Sequence, residues 1–206
     1  TNSAGTGALP NIRGIWIQDS PDNAIVGNLS SGNYIGIQID GGASSGNRIQ
    51  DNFVGTNAAG TQPLGNTEYG VLLRGVPLVT IGGTGEDESN LISGNGQGFY
   101  SGANIWIDGG SHDIVIQGNT IGPDVTGTVA LSHGGGIRIQ DSWNVLVGGG
   151  QPGAGNLLSG NAAGVIIVND PYSIRKAGSD RKNSLEKAGQ NIIEAAEAFT
   201  AADAND

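Results

Sequence analysis

One short pattern recurs six times along the chain: a small residue, an apolar one, any residue, a second apolar one, then usually a polar one. The copies are Gly14-Ile15-Trp16-Ile17-Gln18, Gly36-Ile37-Gln38-Ile39-Asp40, Gly70-Val71-Leu72-Leu73-Arg74, Asn104-Ile105-Trp106-Ile107-Asp108, Gly136-Ile137-Arg138-Ile139-Gln140 and Gly164-Val165-Ile166-Ile167-Val168. Alternation with period two makes each a short strand with its second and fourth residues buried on one side. Six like strands of this kind stack into one sheet.

Longer repeats enclose these strands. Thr1-Asn2-Ser3-Ala4-Gly5-Thr6-Gly7-Ala8-Leu9 matches Thr56 to Leu64 and Pro123 to Leu131. Out of phase with it, Asn90-Leu91-Ile92-Ser93-Gly94-Asn95 matches Asn156 to Asn161, with a degenerate copy at Asn28 to Asn33. Each long repeat therefore holds two unlike rungs, and repetition of this kind signals a solenoid whose units bury their apolar faces only against neighbours. Most rungs carry an asparagine before an apolar residue, at Asn28, Asn52, Asn90, Asn119 and Asn156. Asparagine suits sharp corners because it tolerates a left-handed backbone and its amide bonds to nearby main chain. Stacked corners predict an asparagine ladder. Apolar pairs such as Val79 and Ile81, Ile114 and Ile116, and Val145 and Val147 predict a second strand before that corner.

Composition agrees and narrows the partners. With 38 glycines and 36% apolar residues in 206, a helical bundle is a poor fit, and no Gly-x-y period supports collagen. The absence of cysteine excludes a disulfide scaffold and a thiolate metal site. No apolar run approaches the length of a membrane span. Residues 1 to 170 hold four arginines, no lysine and thirteen acidic side chains, a net charge of −9. Such a body repels phosphate backbones, so no nucleic-acid partner is expected. Neutral sugars, cations or other proteins fit better.

Beyond Pro171 the repeat is lost and the three lysines appear. The expected division is residues 1–170 as β-helix repeats and 171–206 as a linker and amphipathic helical tail. Asn183-Ser184-Leu185-Glu186 reads as a helix start, with Leu185, Ile192, Ile193, Ala196 and Phe199 on one face. Open solenoid ends invite edge-to-edge association, so the tail is expected over the last coil or on a neighbouring subunit.

These repeats resemble the right-handed parallel β-helix repeat proteins of the pectate-lyase-like superfamily. The resemblance covers residues 1 to about 170 and implies an all-β fold: a right-handed parallel β-helix solenoid of about six coils. It implies a secreted or cell-surface location, and it spans enzymes that act on polysaccharides as well as noncatalytic repeat proteins; fold alone does not choose among them. Polygalacturonase-like enzymes use separated Asn-x-Asp, Asp-Asp, Gly-His-Gly and Arg-Ile-Lys motifs. Here Ser132-His133-Gly134 and Arg138-Ile139-Gln140 are distant echoes, and no Asp-Asp pair occurs. Lyase-like members need calcium-binding carboxylates and an arginine or lysine base.

Asp40, Asp108 and Asp141, with Arg74 and Arg138, fall within or just past the repeated strands. As a carboxylate set they would serve glycoside hydrolysis at the right spacing, and otherwise they cap turns. Glu86-Asp87-Glu88 lacks the alternating ligand spacing of a calcium loop and reads as an acidic surface loop. His112 and His133 have no partnering pattern. No catalytic residue, metal site or cofactor is therefore assigned.

The outward column of the first sheet is more informative, reading Trp16, Gln38, Leu72, Trp106, Arg138, Ile166 from rung to rung. Strand spacing puts Trp16 and Trp106 roughly 14 Å apart on one face. Tryptophan planes can stack on sugar rings while Gln38, Asp108 and Arg138 bond hydroxyls. Cover by loops, by the tail or by another subunit explains the same apolar column. The expected function is thus a structural or interaction module without catalysis, with a polysaccharide-acting enzyme or a carbohydrate-binding module as alternatives.

Overall fold

The computed structural model describes residues 1–96, 102–131 and 134–168. The chain divides into two units, Thr1–Asn169 and Asp170–Asp206. The second unit, with the expected linker and tail residues Leu185, Ile192, Ile193 and Phe199, lies outside the described residues.

Each repeated stretch is a strand of the first sheet: β1 (Arg13–Gln18), β4 (Ile35–Asp40), β7 (Tyr69–Arg74), β10 (Ala103–Asp108), β13 (Gly135–Gln140) and β16 (Val165–Val168), paired in that order. A second sheet runs β14 (Trp143–Val147), β11 (His112–Gln117), β8 (Thr80–Gly82), β5 (Arg48–Gln50), β2 (Ala24–Val26). The third holds strands of two residues each, in the order β15 (Leu157–Leu158), β12 (Thr120–Ile121), β9 (Leu91–Ile92), β6 (Phe53–Val54), β3 (Leu29–Ser30). All strand pairs in the three sheets are parallel, an arrangement that fits a β-helix solenoid.

Inward residues of the three sheets meet in one core. Ile37, Ile39, Val71, Leu73, Ile105, Ile107 and Ile137 from the first sheet pack with Ile49, Ile81, Ile114 and Ile116 from the second and Val54, Ile92 and Ile121 from the third. All of these are fully buried. At the two end rungs, Ile15, Ile17, Val145, Val147 and Leu158 are only partly buried, because among the described residues each has a neighbouring coil on one side.

Backbone groups at the corners are satisfied by side chains. Between the second and third sheets, Asn28, Asn52, Asn90, Asn119 and Asn156 form an unbroken ladder. Each donates its backbone N–H and its Nδ2 to Oδ1 of the next, at 2.8–3.2 Å. A second ladder, between the third and first sheets, joins Asn11, Asn33, Asn66 and Asn95 in the same way. It also explains the small residue that opens each repeated strand. A Cβ on Gly36 would stand 2.6 Å from Asn66 Nδ2 and 2.5 Å from the Gly70 carbonyl oxygen.

The Thr1, Thr56 and Pro123 repeats are loops closed by one acceptor each. Asn57 Oδ1 accepts the N–H groups of Thr61 and Gln62 at 2.9 and 3.2 Å, and Asn2 and Asp124 do the same in their copies. The loops also stack, Ala58 N donating to the Gly5 carbonyl at 3.0 Å and Val125 N to the Gly60 carbonyl at 2.9 Å. A loop on every second rung thus reaches over the plain rung between. This gives the long repeat its two-rung period.

Candidate functional site

The outward column forms in the expected register. Trp16 pairs with Gln38, Gln38 with Leu72, Leu72 with Trp106, Trp106 with Arg138 and Arg138 with Ile166. Its exposure is uneven. Trp16 is 50% exposed, whereas Gln38 and Leu72 are 3% and 1% exposed, and Trp106 is partly buried. A parallel column, Arg13, Ile35, Tyr69, Ala103 and Gly135, opens the same strands. Ile35, Tyr69 and Leu72 form a small apolar cluster, with Trp106 packed against it. The Tyr69 and Trp106 rings lie 4.9 Å apart at 54°. The middle of the face is therefore a second, minor core.

Polar groups at its two ends are tied to neighbours. Arg13 lies over the Trp16 ring, 4.3 Å from its centroid, and its Nε donates to Gln38 Oε1 at 2.5 Å. Gln38 Nε2 and Trp16 Nε1 both donate to Asp40 Oδ2, at 2.6 and 2.8 Å. One side of the Trp16 ring is thereby covered by a cation, an arrangement favourable in itself. On the next rungs Arg74 donates two hydrogen bonds to Asp108, Nε to Oδ1 at 3.1 Å and Nη2 to Oδ2 at 3.4 Å. That pairing raises the Arg74 pKa further. By register Arg74 stands between Asp40 and Asp108.

Arg138 repeats the motif of Arg13. Its guanidinium lies 4.5 Å from the Trp106 ring centroid, and Nη2 donates to Gln140 Oε1 at 3.1 Å. Trp106 Nε1 and Arg138 Nε are nonetheless buried without a hydrogen-bond partner, as is Asp40 Oδ1. Sequence reasoning placed Arg138 in this column. It gave no sign of the stacking on Trp106 or of the unpaired donors.

Elsewhere, the candidates resolve into structure. In the acidic loop, Glu88 Oε2 accepts the Gly85 N–H at 2.8 Å, so the carboxylate closes its own turn. His112 Nδ1 lies 2.7 Å from Asp113 Oδ2 and its ring stacks on Trp143 at 4.8 Å and 13°. Asn144 Nδ2 donates to Asp113 Oδ1. The His112 hydrogen bond, then the Asn144 one, holds the Asp113 carboxyl below the usual carboxylate range. This cluster, missed from the sequence, braces a corner where Asp113 and Asn144 both have positive φ. Among the described residues, no group of three or more His, Asp or Glu side chains is placed to hold a metal ion. His133 lies outside them.

No family model matches the chain, and neither the curated proteins nor the solved structures compared with it include a significant match.

Proposed function

We propose that the chain is an interaction module: a right-handed parallel β-helix of about six coils, akin to the pectate-lyase-like repeat proteins, presented outside the cell or on its surface. On this reading the outer face of the first sheet binds and does not cleave. The observation that carries it is the Arg74–Asp108 pair. A carboxylate pair that hydrolyses glycosides must face across about 5 to 9.5 Å of space open to sugar and water. Asp40 and Asp108 are two strands apart, but the strand between them carries Arg74, which clasps Asp108, while Asp40 Oδ2 is held by Trp16 and Gln38. Both carboxylates brace their own face.

The partner is a polysaccharide or another protein subunit laid against the end of the face at Trp16, whose ring is half-exposed. The test is a polysaccharide panel scored for both turnover and binding, with light scattering on the same protein. Binding or self-association without turnover, weakened by Trp16→Ala, is the expected result. Turnover that disappears in Asp108→Asn would refute the noncatalytic assignment.

A further inference from the structure

The outer face of the first sheet contains a cavity of about 370 Å³, lined by Gly102, Ala103, Gly135, Arg138, Ala162, Ala163 and Ile166. It exists because one column changes size. Where earlier rungs place Arg13, Ile35 and Tyr69, the fourth and fifth place Ala103 and Gly135. Gly135 is not forced by the backbone. A Cβ there would meet Ile166 Cδ1 at 3.7 Å and Ala103 Cβ at 3.8 Å, ordinary contact distances. At the adjoining Gly136 a Cβ would run into the Gly164 carbonyl oxygen. The space is therefore an option the sequence leaves open.

From this cavity we infer a binding site for a small monocarboxylate with an apolar body. Among the described residues its walls are alanine, glycine and isoleucine, and the one charged side chain is Arg138. The Arg138 guanidinium is held in place by its stacking on the Trp106 ring, 4.5 Å from the centroid, and by the Nη2 bond to Gln140. A cationic side chain set in an otherwise apolar wall favours a ligand that brings a negative charge. The remaining lining is apolar. A sugar ring would strand several hydroxyls against alanine and isoleucine, whereas an aliphatic body would not. The volume stands near the lower end of the about 300–1,000 Å³ usual for ligand pockets, so a small branched aliphatic body fits with room to spare. This site goes beyond the module proposed above and stands whether or not the face also contacts a polymer.

The experiment is calorimetric titration of the full chain with 4-methylpentanoate, its neutral isostere 4-methylpentanamide, and galacturonate, with tryptophan fluorescence as a second readout. Saturable binding of 4-methylpentanoate is expected, with the amide and the sugar acid at least tenfold weaker and a change in emission from Trp106. Arg138→Gln should weaken binding tenfold or more. Gly135→Ala should weaken it and Ala103→Leu abolish it, each with a melting temperature within a few degrees of the parent. Absence of saturable 4-methylpentanoate binding overturns the site. So does binding unaffected by a folded Gly135→Ala or Ala103→Leu variant. Galacturonate binding as tightly as 4-methylpentanoate overturns the ligand class.

Discussion

Asn104 Nδ2 donates to Asn161 Oδ1 at 2.9 Å across 57 positions of sequence, and the contact repairs a gap in the second asparagine ladder. Rungs before β4 and β7 supply Asn33 and Asn66, but the rung before β13 has Gly134 near that corner. Asn104 sits where five of the six repeated strands have glycine. Its Oδ1 accepts from Asn95 Nδ2 at 2.9 Å, so one side chain joins Asn95 to Asn161. The odd residue in the strand pattern compensates for the odd residue in the corner pattern.

Asn104→Gly would therefore restore the strand pattern and harm the protein. It takes the acceptor from the buried Asn95 backbone N–H, while Asn95 Nδ2 keeps the Val54 and Ser93 carbonyls, and it removes the donor to Asn161, at a cost of about 1–3 kcal/mol. Asn90→Leu, in the middle of the unbroken ladder, should lose about 1 kcal/mol or more by the same cause. Urea melts of both variants check this. A melting profile for Asn104→Gly that overlays the parent would show the bridge to be incidental.

Leu78 is the one large apolar residue in a column of left-handed corners. Asp22, Gly46, Leu78, Asp113 and Asn144 all have φ between 51° and 71° and occupy matching positions on successive rungs. Four of these are residue types that adopt this region readily, whereas a leucine Cβ is crowded there. Leu78 is also 58% exposed, so its side chain returns little burial. Leu78→Asn should raise stability by about 0.5–1 kcal/mol, read as a higher thermal midpoint. A lower midpoint would mean that the leucine packs usefully against something else.

The repeated strands, their register and the first asparagine ladder were legible in the sequence because each leaves a periodic trace. Alternation marked β4 and β7, and Asn28, Asn52, Asn90, Asn119 and Asn156 fell at one phase of the rung. The third sheet left no such trace. Two residues, as in Phe53–Val54, are too few to show a period. The second ladder was visible only as Gly-Asn dipeptides at Asn33, Asn66, Asn95 and Asn161, which also read as ordinary turns. In the outward column, alternation placed Gln38 and Leu72 on the right face but not at the right depth. The burial of Leu72 depends on Ile35, Tyr69 and Trp106 coming together from three strands, a contact that no local pattern encodes.

Tyr69 links that minor core to pH. Burial, then the nearby Glu68 carboxylate, pushes its phenol from an ordinary value of 10.0 up to about 12. A raised folded-state pKa favours the neutral form, so its contribution is whole below pH 10 and is lost as pH rises toward 12. Unfolding free energies at pH 9 and pH 11 should differ more in the parent than in Tyr69→Phe. Equal alkaline losses in the two proteins would place the titration elsewhere.

Asp124 tests whether the stacked loops hold the long repeat together. Its Oδ1 accepts the N–H groups of Thr128 and Val129 at 3.0 and 3.1 Å and the Thr126 hydroxyl at 2.8 Å. The same loop donates Val125 N–H to the Gly60 carbonyl two rungs away, so opening it also releases the stack. Asn2 and Asn57 do the equivalent work in the other copies, which shows that the geometry needs an acceptor oxygen and not a charge. Asp124→Ala should therefore cost about 0.5–1.5 kcal/mol, since it leaves the two backbone donors of an exposed loop to water. Asp124→Asn should lose less than half as much. Paired urea melts at neutral pH separate the cases: equal losses for the two variants would show that the carboxylate charge, not the acceptor, closes the loop.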